Sequence, residues 1–378
     1  NRPFKQLQRR AWLLDGIFDK YNHTFDRYND IYCSDHQVVM SKRKLSRQQQ
    51  WRVEKVQAER AQRAEKRDVQ DAEKLAAGEY GAEQPGRVVA HFGRTLEVRN
   101  SDNEPVRCHL RANLDGLVTG DRVIWRAGQE GSGVVVAREE RDSVLKRPDA
   151  RGLLKPVAAN IDQLLIVFAV EPAPHANLID RYLVAAEATG IAPVLVLNKT
   201  DLLPEDGGEL GKLLERYRDL GYPVVRTTTA TETGLDDLRS QLEGRTSVFV
   251  GQSGVGKSSL IDLLLPDETL RIGALSEDSR KGTHTTTTAR LYTMSRAEVA
   301  DGDLIDSPGI REFGLVHLNE QEVTDGFIEF HDYIGHCRFR DCRHRNEPGC
   351  ALLAAVEAGK IHPARFTSYR RILDSLDS

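Results

Sequence analysis

Two short stretches decide what this chain can fold into, and they come in an unexpected order. VLVLNKTDL, residues 194 to 202, is a short apolar run that ends in Asn198, Lys199, Thr200 and Asp201. GQSGVGKSS, residues 251 to 259, fits the phosphate-loop pattern GxxxxGK[ST] with Gly251, Gly256, Lys257 and Ser258. The first run reads as a buried strand that delivers a polar loop at its carboxyl end. The second follows the apolar VFV and opens the helical SSLIDLLL, the strand-loop-helix context that a phosphate loop requires.

Each loop has a chemistry. In the phosphate loop the glycines let the backbone curl, so that successive N–H groups and the following helix N-terminus face phosphates. Gly251, Gln252, Ser253, Gly254, Val255, Gly256, Lys257, Ser258 and Ser259 line that cradle, with Lys257 on the outer phosphates and Ser258 on magnesium. In NKTD, Asp201 accepts from the ring N–H and the amino group of guanine, Asn198 holds the loop and the base edge, and the stem of Lys199 covers the ring. Adenine lacks that donor pair and would leave the carboxylate unpaired, which argues against an ATP-using kinase. In ordinary small GTPases the phosphate loop comes first. Here the base-reading loop does.

The two orders are reconciled by geometry, because open α/β sheets bind ligands at the carboxyl ends of their strands, wherever those strands stand in the chain. Moving the chain ends to another surface connection preserves the site when the original termini are close. The break precedes LLIVFAV (164 to 170), and the helix near LDDLRSQLEG now leads into SVFVG (247 to 251). With PVLVLN, PVVRTT, ARLYTM and DLID, six strands with intervening helices predict one circularly permuted, doubly wound domain.

DSPG at 306 to 309 ends a strand downstream of the phosphate loop, which suits Asp306 for magnesium's waters and the Gly309 N–H for the terminal phosphate. Between the two loops lies RKGTHTTTTARL, where Thr285 and Thr286 both fit the spacing from Gly282 for a magnesium-binding hydroxyl. Ile310 follows DSPG where many GTPases carry the water-positioning Gln, so intrinsic hydrolysis should be slow and a partner is expected to complete the site. His284 is either a substitute near the phosphates or a surface histidine. The segment after DSPG runs straight into the C-terminal region, so a switch ordered by the γ-phosphate would act on that region directly.

Around this domain the chain changes character. Residues 1 to 39 are aromatic-rich without a usable motif, and Met40 is read as a native start. Residues 41 to 67 hold ten Lys/Arg against three Glu, an excess of +7, which leaves about −11 on the rest given the net −4. The arm at 40–85 is expected to be flexible or a solvated helix, serving either as a solubilising tail or, with Trp51 for stacking, as a contact to a polyanion. From Gly86 to 148, RVVAHFG, TLEVRN, VRCHLRA, DRVIWRA and GVVVARE are five short strands, most simply an OB-fold barrel. Such a barrel is a spacer or a nucleic-acid platform, the latter using Phe92, Arg94, Arg99, Arg107 and Arg111. A linker is read around Lys146 to Pro156, the nucleotide domain at 149–315, and a C-terminal region at 316–378.

That last region holds CRFRDCRHRNEPGC, with Cys337, Cys342, His344 and Cys350, three of the chain's five cysteines. Three thiolates and an imidazole close a tetrahedral zinc shell, so the expected role is structural. In a tail read as poor in apolar residues, the metal supplies much of the cohesion. Arg338, Arg340, Arg343, Arg345 and the closing basic helix RFTSYRRILDSL are expected to face phosphate backbone. No run of about 18 apolar residues occurs. No secretory signal pattern is seen at the start, and a cytosolic protein is expected.

Taken together, the basic arm, barrel, NKTD before GQSGVGKSS, GTHTTT, DSPGIREF and CRFRDCRHRNEPGCA resemble the ribosome small-subunit-dependent GTPase A family, also called RsgA or YjeQ, from about Met40 to the end. The resemblance implies a multidomain chain: OB-fold β-barrel, circularly permuted α/β P-loop GTPase domain and mostly helical zinc-binding domain. It implies GTP hydrolysis to GDP and phosphate with Mg2+, stimulated by the small ribosomal subunit during its late maturation, with one structural Zn2+. It also implies that barrel and zinc domain contact 16S-type rRNA, and that the protein acts as a monomer without membrane attachment. Thr228 and Thr229 stand where the family has a Ser-Ala pair in its guanine loop, with Thr228 the candidate contact. The alternative is a GTP-gated RNA-binding module in which hydrolysis is incidental.

Overall fold

The computed structural model describes residues 80–93, 95–111, 114, 116–148, 152–265, 289–294, 299–306 and 318–376, all within the compact unit Arg60–Leu376. The extension at 1–39 and nearly all of the arm at 40–85 lie outside these residues. Five strands come first: β1 (Glu83–Phe92), β2 (Thr95–Arg99), β3 (Pro105–Leu110), β4 (Arg122–Ala127) and β5 (Ser132–Arg138). Alternation along them points Val88, Leu96, Val98, Cys108, Val123, Trp125 and Val135 into one core. The order β1-β2-β3-β5-β4 returns to β1 through a β1–β4 pairing, and β3 and β5 run parallel. The β1–β4 pairing thereby closes the five strands into a small barrel.

The expected linker is instead a hairpin of β6 (Val144–Pro148) and β7 (Leu154–Ala159), paired antiparallel. Pro148, Gly152 and Pro156 read as loop residues in the sequence. A two-stranded ribbon has only edge strands, where proline is tolerated, and the hairpin is anchored by buried Leu145, Ala158 and Ala159.

Next come β8 (Gln163–Ala169), α1 (Ala176–Thr189), β9 (Ala192–Asn198), α2 (Gly208–Asp219), β10 (Val224–Arg226), α3 (Asp236–Leu242), β11 (Thr246–Val250), α4 (Lys257–Leu264), β12 (Arg290–Thr293) and β13 (Asp303–Asp306). Every residue of β8 is buried, because helices cover both faces. Leu164, Ile166 and Phe168 pack with Ile179 and Leu183 of α1 and Leu214 and Tyr217 of α2. Leu165, Val167 and Ala169 face the other way, toward Leu238 and Leu242 of α3 and Leu260 and Leu264 of α4.

The sheet runs β10-β9-β8-β11-β13-β12, with parallel neighbours except that β12 is antiparallel to β13. The picture of strands alternating with helices is corrected at that edge. A parallel return needs a crossover of a dozen or more residues, which the short Thr293-to-Asp303 connection cannot supply. β12 then pairs with β1, so barrel and nucleotide domain share one eleven-stranded sheet.

After Leu318 come α5 (Glu320–Asp325), α6 (Ala351–Glu357) and α7 (Pro363–Asp374). The tail is not poor in apolar cohesion: Val323, Phe327, Phe330, Leu352, Ile361, Phe366, Tyr369 and Ile372 form a core with Val184 and Ala185 of α1. α1 is therefore gripped on both sides. Nor does α7 turn all its basic residues outward, since Arg365 is 2% exposed. Its guanidinium donates to both carboxylate oxygens of Glu329 at 2.7 and 2.9 Å and to Asp180 at 2.5 Å, and lies 4.5 Å from the Phe327 ring. The Tyr217 hydroxyl also donates to Asp180, at 2.6 Å. No helix among the described residues is long and apolar enough to cross a membrane.

Removing one partner of a buried ion pair strands the others in low dielectric. Arg365→Met is expected to lower stability by about 3 to 5 kcal/mol, read as a shifted urea midpoint with the full chain.

Candidate functional site

Strand order reverses between β8 and β11: from β8 the sheet proceeds through β9 to β10, and from β11 through β13 to β12. At such a switch point the loops diverge and leave a crevice at the carboxyl ends. The NKTD loop leaves β9, Thr227 and Thr228 follow β10, the phosphate loop leaves β11, and Asp306 ends β13. Four loops scattered in sequence thus share one end of one sheet.

The phosphate loop is curled by left-handed glycines, with φ of 136° at Gly251, 82° at Gly254 and 96° at Gly256. A Cβ on Gly251 would stand 2.1 Å from the Val167 carbonyl oxygen, and one on Gly256 would stand 2.3 Å from Asn198 Nδ2. No other side chain fits either place. Lys257 is buried at the start of α4, its Nζ donating to the Gly251 and Gln252 carbonyls at 2.6 and 2.5 Å. Ser253, Gly254, Ser258 and Ser259 are exposed, and Gln252 is half-buried. The first-turn N–H groups of α4, as at any helix start, lack intrahelical acceptors.

The NKTD loop is bonded to this cradle. Asn198, 2% exposed, donates from Nδ2 to the Val255 carbonyl at 2.9 Å. Its Oδ1 accepts from the hydroxyl of Thr227 at 3.1 Å. Lys199, in the left-handed region at φ 58°, donates to the carbonyls of Gly254 at 3.1 Å and Glu171 at 2.6 Å, which lays its stem across the gap between loops. Asp201 is exposed, and the Thr228 hydroxyl donates to its Oδ1 at 2.5 Å. Thr227 escaped the sequence reading, although a buried threonine at a strand's carboxyl end beside Thr228 was the available signal. His284, Thr285, Thr286 and Gly309 lie outside the described residues.

Cys337, Cys342, His344 and Cys350 bring their ligand atoms within 4.8 Å of one another. Cys337 Sγ lies 3.9 Å from Cys350 Sγ, and His344 Nδ1 lies 3.5 and 3.4 Å from those two sulfurs. A zinc tetrahedron with 2.3 Å sulfur bonds implies sulfur separations of about 3.8 Å, so the spacing fits. His344 takes φ 58°, the bend that the short Cys-x-His step demands, and Nδ1 is the nitrogen that faces the sulfurs. Burial pushes the Cys342 thiol up to about 12, raises Cys350 and lowers the His344 imidazole. A divalent cation is what would make thiolates favourable in such surroundings. The Ala351 N–H donates to Cys337 Sγ at 3.3 Å.

Of the barrel residues expected to meet nucleic acid, Phe92 and Arg107 are exposed and Arg111 is half-buried, whereas Arg94 is outside the described residues. Arg99 is withdrawn from that set: it is spent on Asp303 of β13.

Comparison with known proteins completes the assignment. Residues 138–316 match the family model described as RsgA GTPase. The small ribosomal subunit biogenesis GTPase RsgA of Chromohalobacter salexigens is 71% identical over 341 residues, covering 89% of this chain and 99% of that protein. The chain belongs to the RsgA GTPase family. It is accordingly a GTP hydrolase, and its loops meet in the permuted order of that family. The RsgA of Pseudomonas aeruginosa is 58% identical over 338 residues, covering 89% of this chain and 98% of that one. Among solved structures, YjeQ from Thermotoga maritima aligns with a TM-score of 0.64 at 32% identity, over 78% of this chain and 99% of that one. YloQ, described as a circularly permuted GTPase, aligns with a TM-score of 0.62 at 27% identity, over 78% and 96%.

Gly256→Ala tests the junction of the two loops. Strain of about 1 to 3 kcal/mol at a left-handed position, plus the clash with Asn198, is expected to weaken GDP binding by roughly ten- to a hundred-fold. Fluorescent-GDP titration of protein with an unchanged melting curve checks it.

Proposed function

We propose that this GTPase acts in biogenesis of the small ribosomal subunit, as a cytoplasmic monomer that contacts 16S-type rRNA and hydrolyses GTP when the subunit engages it. The observation that carries the nucleotide reading is the hydrogen bond from Asn198 to the Val255 carbonyl, which joins base-reading and phosphate loops across 57 residues. The ribosomal reading rests on the names borne by relatives that match along nearly their whole length.

In this reading Asp201 accepts from guanine, held by Thr228, while Asn198 and Lys199 shape the base pocket. Gly251 to Gly256 and the first turn of α4 receive the phosphates. Lys257, whose Nζ holds the Gly251 and Gln252 carbonyls, would place its ammonium against the outer phosphates. Ser258 and one of Thr285 and Thr286 would hold magnesium, with Asp306 orienting its waters, and Mg2+ would neutralise the charge that develops on the transferred phosphoryl. Gly309 N–H meets the γ-phosphate, and His284 is the candidate for positioning water. The working division is a barrel at 86–148, a permuted GTPase domain at 149–315 and a zinc domain at 316–378. The zinc domain is held by Cys337, Cys342, His344 and Cys350, and its exposed arginines join Phe92 and Arg107 of the barrel as rRNA contacts.

GTP turnover with and without purified small subunits tests this. The wild-type rate is expected to rise on adding subunits, and Ser258→Ala to abolish the rise. If nucleotide state changed only RNA affinity, with no stimulated turnover, the protein would be a GTP-gated RNA-binding module instead.

Metal analysis is expected to return about one zinc per chain. Stripping it with a strong chelator should lower the melting temperature of the full chain, an effect absent from a Cys342→Ala variant that never loaded the metal.

A further inference from the structure

Asp306 stands at the end of a strand only four residues long, and nothing within so short a strand can fix its own position. In the antiparallel ladder of β12 and β13, Asp306 lies opposite Arg290 and Asp303 lies opposite Thr293. Both ends of this ladder are held by one strand of the barrel. At the Asp303 end, Arg99 of β2 makes a fork to the two carboxylate oxygens at 2.6 and 2.8 Å and also reaches the Thr293 hydroxyl. Arg87 of β1 adds a third bond to Asp303 at 2.8 Å, and bonds Thr246 Oγ1 at the start of β11, also at 2.8 Å. At the Asp306 end, Glu97 of β2 pairs with Arg290 at 2.9 Å, and Ala90 of β1 is the ladder partner of Arg290. Just before it, the buried Thr119 hydroxyl donates to the Ala289 carbonyl at 2.8 Å.

Glu97 and Arg99 are alternate residues of one strand, so they project from the same face, and their long side chains reach the two ends of the ladder. At the Asp303 end the carboxylate is 8% exposed and the two arginines 17% and 18%, so that point of the clamp is sheltered, while the Glu97–Arg290 point is half-buried. Arg99 matches the carboxylate with a planar fork, which fixes direction as well as distance.

We propose that Glu97 and Arg99 are positioning residues for GTP hydrolysis: from the barrel, they set the register of β12 and β13 and so the placement of the Asp306 carboxylate at the magnesium and γ-phosphate end of the site. This rests on the role given to Asp306 above. The barrel is then a structural part of the hydrolytic site as well as a binding platform.

The test is the magnesium dependence of GTP hydrolysis by the full chain, with Asp306→Asn as reference. Asp306→Asn is expected to raise half-saturating Mg2+ by roughly 10- to 100-fold, and Glu97→Gln and Arg99→Gln by about three- to ten-fold in the same direction. Arg99→Lys, which keeps the charge and loses the fork, should fall between Arg99→Gln and wild type. GDP affinity in magnesium-free buffer, set by the phosphate and NKTD loops, should stay within about two-fold of wild type. A wild-type magnesium dependence in both β2 variants, with Asp306→Asn shifted, overturns the clamp alone. An unshifted Asp306→Asn overturns the role of Asp306 and the clamp with it. Parallel loss of magnesium-free GDP affinity would mean a loosened sheet and also overturns it. Should Arg99→Gln unfold, the half-exposed Glu97→Gln decides.

Discussion

The site depends on a close approach between two loops that the chain lists in the reverse of the usual order. Asn198 reaches the Val255 carbonyl because residue 256 has no side chain to keep it away. That contact ties the NKTD loop to the GQSGVGKSS loop, so a nucleotide bound as proposed would meet a frame already in place. Chain order is irrelevant to it, since each loop is fixed by the strand it leaves, and the strands are fixed by their neighbours in the sheet.

The same sheet explains why three differently built regions behave as one. β1 of the barrel pairs with β12, so the barrel extends the nucleotide-binding sheet. On the far side, α1 presents one face to the sheet and the other to the C-terminal core, and Arg365 pins α7 to it through Asp180. Burying a guanidinium is costly unless its partners satisfy it. Glu329, Asp180 and the ring of Phe327 together do so, with Tyr217 orienting Asp180. The arrangement trades surface charge for a fixed orientation between helices.

Much of this was legible in the residues. Continuous apolar runs such as LLIVFAV announce strands buried on both faces, and the alternating runs after Gly86 announce half-buried strands of a barrel. Cys337, Cys342, His344 and Cys350 are legible as a group that could hold a metal, because three thiols and an imidazole at short spacing suit a tetrahedral site. What misled were residues whose local meaning is ambiguous. Pro148, Gly152 and Pro156 suggest a linker, yet the ribbon they interrupt is closed by long-range burial of Leu145 and Ala158. Arg99 and Arg365 look like surface cations, and only the positions of Asp303, Asp180 and Glu329, far away in sequence, turn them inward.

The sequence alone determined the loops and the side chains they offer: glycines where the backbone must curl, a carboxylate in the NKTD loop, and three thiols with an imidazole close together near the C-terminus. Those are local properties, set by side-chain type and spacing within a few residues. The tertiary structure alone decided which charges meet, that Thr227 and Thr228 brace Asn198 and Asp201, that β12 runs against β13, and that the barrel grips that pair. These depend on contacts between segments tens to hundreds of residues apart, and no local pattern encodes which distant partner will fill the space beside a buried charge.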